Sequence, residues 1–99
     1  LVNVVDSFEL NDDFSIIEAT VPKEYVGKTL KEVGFRSKYN LLVLTIIKKV
    51  EVTSILGNTK IENQIQGVAS AENTLEEGNI LVLYGANKDL QHFLKQKFR

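Results

Sequence analysis

Arg36, Lys38 and Tyr39, in the run FRSKYN, are the residues of this chain best suited to holding a ligand. They fall where a short helical pattern gives way to an apolar strand, a junction at which side chains converge, and a guanidinium fork suits phosphate or carboxylate. The plainer alternative is a solvated basic turn, or a salt bridge to Glu32. Catalysis has less to work with. The single histidine, His92, stands between Gln91 and Phe93 with no acid or nucleophile at a spacing that would pair with it, and acid–base chemistry needs a positioned partner. With no cysteine and one histidine, neither a thiolate nucleophile nor a zinc set can be assembled. Gly27-Lys28-Thr29 echoes the end of a phosphate-binding loop, but that loop requires a glycine where this chain has Pro22. The pairs Asp12-Asp13 and Glu76-Glu77 could offer oxygen ligands to a hard cation, although adjacent carboxylates in turns are more often simply solvated. An enzyme therefore fails for want of a nucleophile, a base or a metal cluster.

The elements that must position these residues belong to one domain, because 99 residues with 43% hydrophobic and 25% charged content is an ordinary globular make-up. A net charge of -1 leaves no basic footprint, so nucleic acid is not expected as a partner. No apolar run reaches the roughly 20 residues of a membrane-spanning helix, and the absence of cysteine fits a reducing compartment. There is no initiator Met and Leu1 opens in mid-pattern, which reads as a piece of a longer protein.

Leu1 to Glu9 is an apolar lead segment that ends in the polar Asn11-Asp12-Asp13 turn. Phe14 to Val21 alternates and is β-branched, so a strand is expected up to Pro22, which has no amide to donate. Thr29-x-x-Glu32 has the spacing of a capping box, with Leu30 and Val33 as its buried face and Gly34 free to close the turn in the left-handed region. Phe35 to Tyr39 then leads into Leu41 to Ile47, LLVLTII, whose apolar character on both faces asks for cover on both. Val50 to Lys60 reads as a hairpin with Gly57-Asn58 at its turn, and Ile61 to Ala69 as a further strand. Ile80 to Tyr84, ILVLY, is a second apolar strand after the Glu76-Glu77-Gly78-Asn79 turn. Asn87 can cap a last helix in which Leu90, Phe93, Leu94 and Phe98 share a face. The sum is a small α+β domain: a mixed or antiparallel sheet of four to five strands, a helix after the first strand and a C-terminal helix. Two such strands and two short helices leave apolar surface uncovered, and at roughly 25 cal/mol per Å² a second copy is the economical cover.

The order VPKEYVGKTLKEVGFRSKYNLLVLTIIKK, Val21 to Lys49, followed by TLEEGNILVLYGANKDL, Thr74 to Leu90, resembles the C-terminal regulatory module (TrkA-C, or RCK C-terminal domain) of Trk/Ktr-type potassium-transport proteins. The resemblance implies a lead-in from a preceding nucleotide-binding domain over residues 1–12 and the regulatory domain proper over 13–99. It implies a homodimer, cytoplasmic and peripheral to the inner face of the membrane through a membrane-embedded potassium transporter subunit. Some modules of this type bind cyclic di-AMP across the dimer axis, between an apolar residue of the short helix and an arginine after it; Leu30 and Arg36 occupy those places. The ligand-binding expectation is thus Leu30, Arg36, Lys38 and Tyr39, with no metal. An asparagine and a histidine are also usual in that groove, where this chain has Leu42 and Glu51, and Asn79 stands for a usual aspartate. The resemblance implies ligand-responsive regulation of potassium transport; the alternative is a purely structural dimerisation module of another transporter, with no ligand of its own.

Overall fold

The computed structural model describes residues 2–97. Five strands form a single antiparallel sheet in the order β1-β2-β5-β3-β4. They are β1 (Val4–Glu9), β2 (Phe14–Thr20), β3 (Leu42–Thr53), β4 (Thr59–Ile65) and β5 (Ile80–Ala86). Between β2 and β3 lie a 3-10 turn (Lys23–Tyr25), the helix α1 (Leu30–Val33) and a π-helical turn (Phe35–Tyr39), and α2 (Asn87–Leu94) ends the fold. The expected α+β class is found, with the antiparallel form of the sheet. Residues 4–9 of the lead segment pair with β2 as an edge strand.

Period-two alternation decides which side chains meet. Ser15, Ile17 and Ala19 of β2 turn to one face, beside Leu81 and Leu83 of β5 and Ile46 of β3, and this face carries the core together with Leu30, Val33, Phe35, Leu90 and Phe93. Leu41, Leu75, Leu81, Leu83 and Phe93 are fully enclosed. On the other face, the registers align Phe8, Ile16, Tyr84 and Leu42 across four strands. Phe14 stacks on Tyr84, ring centroids 6.1 Å apart. Leu42 is 42% exposed and Phe8 50%. The LLVLTII run thus has Ile46 buried on the core face and its neighbour Ile47 buried on the other, beside Ile80, while Leu42 looks to solvent.

Three local expectations need correction. Phe35 to Tyr39 is a π-helical turn rather than a simple lead into the strand: Gly34 (φ 71°) enters it and Asn40 (φ 57°) leaves it, both in the left-handed region. Asn87 does not cap α2. Ala86 is the capping residue, and the Asn87 amide instead accepts from Ser15 Oγ at 2.6 Å and donates to the Asp12 carbonyl at 3.0 Å, so that it ties the helix to the β1–β2 turn. The strand expected over Ile61 to Ala69 is the second strand of the hairpin itself, β4, from Thr59 to Ile65, after which the Gln66 and Ala69 amides donate to the carbonyls of Ile46 and Leu44. Phe98, placed on the face of α2 by its spacing, lies outside the described residues. The capping box is present as expected: the Glu32 amide donates to Thr29 Oγ1 at 3.1 Å and the Thr29 amide to Glu32 Oε1 at 2.9 Å.

Candidate functional site

A groove of about 310 Å³ opens where the C-terminal end of α1, the π-helical turn, the start of β3 and residues 69–71 meet. Leu30, Phe35 and Leu41 give it an apolar floor, all buried, and Val43, Ala69 and Ala71 form the walls. Its polar rim is Arg36, Lys31, Ser37 and Ser70. Each part follows from the local sequence. The capping box starts α1 and Gly34 stops it after little more than one turn, so the chain doubles back at Phe35. The 71–75 loop runs beside α1, where the Leu30 and Lys31 amides, left over at a helix start, donate to the carbonyls of Asn73 and Ala71 at 3.0 and 2.9 Å. That pairing fixes one wall against the other.

Arg36 is exposed, and its guanidinium makes no hydrogen bond or ion pair with any described residue. The alternative partner, Glu32, is occupied by Thr29, whose amide and hydroxyl hold the carboxyl below its usual range. A guanidinium at the rim of an apolar cleft can thus offer a fork to a planar anion at no cost in broken pairs.

The four residues expected to bind together do not all share this groove. Leu30 and Arg36 line it; Lys38 and Tyr39 are absent from its walls. Lys38 Nζ donates to Tyr25 Oη at 3.2 Å and lies 5.3 Å from the Tyr39 ring centre. Tyr25 and Tyr39 are both buried and join hydroxyl to hydroxyl. Tyr39 also packs on Phe93 and on the His92 ring, centroids 5.1 and 5.9 Å away. Burial, followed by the Tyr25 hydrogen bond, pushes the Tyr39 phenol up to about 12. This cluster has the make-up of a structural clasp: a hydrogen-bonded phenol pair, an ammonium over two rings and aromatic packing on Phe35, Phe93 and His92.

Leu42 lines the groove, adding apolar surface where the resembled modules usually have an amide, whereas Glu51 lies far along β3, exposed and opposite Ile61. Among the described residues no cluster of three acidic, histidine or cysteine side chains could hold a metal. Of the acidic pairs, Glu76 binds Lys48 at 2.6 Å and the Asp13 carbonyl accepts from the Asn87 amide. Asn79 is buried and accepts from the Glu76 amide, which makes it a turn-former. Sequence reasoning missed Leu41 in the groove floor and Val43, Ala69 and Ala71 in its walls. Small apolar residues in a loop carry no signal until the loop's pairing with α1 is seen.

No family model matches the chain, and no curated protein does. A solved structure titled "Crystal Structure of the GsuK RCK domain" matches with a TM-score of 0.63 at 19% identity, covering 99% of this chain and 19% of that one. The present chain thus spans about a fifth of the length of the molecule it superposes on. At that identity the similarity is one of fold: the chain is folded like part of the RCK domain structure, as the order of its elements led us to expect. No helix among the described residues is long and apolar enough to cross a membrane.

Proposed function

We propose that this chain is a ligand-responsive regulatory and dimerisation module of a bacterial potassium-transport system. It would stand on the cytoplasmic side of the membrane, follow a nucleotide-binding domain in the same chain and act on a membrane-embedded transporter subunit. The fold shared with the RCK domain structure supports the class. The observation that carries the ligand is the uncommitted Arg36 at the rim of an apolar groove floored by Leu30, Phe35 and Leu41. A phosphate-bearing purine nucleotide suits it, with the phosphate on the fork and the base on the apolar floor; cyclic di-AMP, two-fold like a homodimer, would present one phosphate to each of two copies. The row Phe8, Ile16, Tyr84 and Leu42 supports a second copy, since apolar surface of this kind is stabilised by cover. A ligand in such a groove regulates only through its difference in affinity between two placements of the copies.

Titration calorimetry with cyclic di-AMP and with ATP tests the reading. Binding of one cyclic di-AMP per two chains, weakened more than tenfold by Arg36→Ala, is the expected result. The second reading, a structural dimerisation module without a ligand, is favoured by Leu42, which offers the groove a methyl group instead of an amide. No heat and no thermal shift from either nucleotide at high micromolar concentration would leave that reading standing and remove ours.

A further inference from the structure

The five most exposed large apolar side chains of the described residues, Ile55, Leu56, Ile61, Ile65 and Val68, at 64 to 101% exposure, all lie on the β3–β4 arm or directly after it. None belongs to the core. β4 is the last strand of the sheet, and no other described strand lies beyond it. The direction of its free groups follows from parity. Ser54 donates to the Asn58 carbonyl and Gln66 to that of Ile46, so the residues of β4 that bond to β3 are the even-numbered ones. Thr59, Ile61, Asn63 and Ile65 therefore turn their amides and carbonyls outward, as a template for another strand.

The two edges of the sheet are unlike. β1 has a register break between Val4 and Asp6 and carries Asp6 and Glu9, features that discourage pairing. β4 runs without a break or a proline. Its charges are also self-complementary. An antiparallel second β4 related by a two-fold axis through Ile61 sets Lys60 against Glu62 twice, Thr59 against Asn63 twice and Ile61 against itself. The same operation brings Gly57 opposite Ile65 and carries the Ile55-Leu56 tip alongside residues 66–68 of the partner. One axis thus gathers all five exposed apolar side chains.

We propose that β4 is an interface between copies of this chain: two β4 strands pair antiparallel about Ile61 and join two five-stranded sheets into one. The inference goes beyond the groove and does not depend on a ligand being bound there. It joins chains along β4, none of whose residues lines the groove, so together with a groove-side contact it would build an assembly larger than a dimer.

Because the chain has no cysteine, introduced thiols report the register. Paired residues of this type have Cα atoms about 5.5 Å apart, inside the 4.4–6.8 Å that a disulfide spans. Ile61→Cys should cross-link to itself at least tenfold faster than Ser7→Cys on the β1 edge. Thr59→Cys and Asn63→Cys should cross-link to each other in a mixture faster than either does alone. Lys60→Glu sets two carboxylates opposite Glu62, and Glu62→Lys sets two ammonium groups opposite Lys60. Each should weaken association measured by sedimentation at least tenfold, and mixing the two variants should restore it, although the contact between 60 and 62 within each chain stays broken. Failure of the mixture to restore association, or cross-linking at Ile61 no faster than at Ser7, overturns the proposal. Arg36→Ala should leave these results unchanged, which separates a failure here from a failure of the groove.

Discussion

The β3 strand passes through two environments, and the contrast between them shows what holds this fold together. Its first half lies beside β5, where Val43 faces Leu83 and Ile46 faces Leu81, under a roof of Leu90, Phe93 and the π-helical turn. Its second half lies beside β4 alone, and every residue of β4 is exposed. Backbone pairing runs through both, with one register shift between Val43 and Thr45 in the first. Buried side chains, Ile46 and Ile47, occur only in the first, so cooperative stability should be concentrated there, while the arm is held by its ladder, its turn and exposed cross-strand contacts such as Thr53 with Thr59 at 3.4 Å. A two-stranded ribbon by itself is marginal in water, which is why an extended arm implies either tolerance of opening or a partner.

The sharpest way to break this contrast is to place the same charge in both halves. Leu83 is fully buried among apolar side chains, and an unpaired carboxylate there costs several kcal/mol against a total stability of about 5–15 kcal/mol. Leu83→Asp should abolish the cooperative thermal transition seen by circular dichroism. Ile61→Asp, on the arm, should leave it within a few degrees. Equal losses would mean that the arm belongs to the same cooperative unit as the core.

The next largest effect belongs to the aromatic clasp behind the groove. Tyr39 is held neutral, its phenol pushed up from 10.0 to about 12. The unfolded chain releases this proton near pH 10 while the folded one keeps it, so stability is complete below pH 10 and falls as pH rises towards 12. The slope is about 1.4 kcal/mol per pH unit, for a total near 3 kcal/mol. Denaturant titrations at pH 9, 11 and 12 should show the decline, and Tyr39→Phe should remove most of it. An unchanged slope in that variant would assign the alkaline loss to another group.

How far the two regions could be read from the sequence differs for the same physical reason. Glycine, proline and capping signals act locally, so the Thr29–Glu32 box, the Gly34 closure and the end of β2 before Pro22 were all visible. Apolar runs reported strands too, and the structure pairs LLVLTII with ILVLY. Which face is covered depends on partners distant in sequence: Leu42 and Val43 look alike in the chain, yet one is exposed and the other packs against the core. Asn87 had the right type for a cap, but a tertiary demand from Ser15 and Asp12 outweighed the local one. Of the expected site, Leu30 and Arg36 share a groove; Lys38 and Tyr39 were grouped with them by proximity in sequence, and the π-helical turn sends them to another face.

A smaller effect tests the close contact that closes the groove floor. Gly85 lies in β5 where an added Cβ would stand 2.5 Å from Leu41 Cδ2. Leu41 is itself fully buried, so any shift of its side chain disturbs the packing around it. Gly85→Ala should therefore destabilise by about 1–3 kcal/mol, as overpacking does, and lower the melting temperature by roughly 4–8 °C per kcal/mol in a domain of this size. If Leu41 shifts to accommodate the methyl group, the groove above it should change shape, and nucleotide affinity would move with it. A variant of unchanged stability and affinity would show that the strand and Leu41 are less tightly fitted than the geometry requires.

The smallest effect is expected where exposure is greatest. Ile55 and Leu56 are 101% and 85% exposed at the tip of the arm, so replacing both with serine removes no buried contact in the single chain. Ile55→Ser with Leu56→Ser should change folding stability by less than about 0.5 kcal/mol, the usual bound for surface positions. The measurement belongs at low chain concentration, where copies are separate, because association stabilises by mass action. At high concentration the same double variant should lose whatever stabilisation the parent gains from a second copy, so the difference between the two melting curves should shrink on dilution. A stability loss of more than 1 kcal/mol that persists on dilution would show that the tip folds back onto its own chain, and the contrast between core and arm would have to be redrawn.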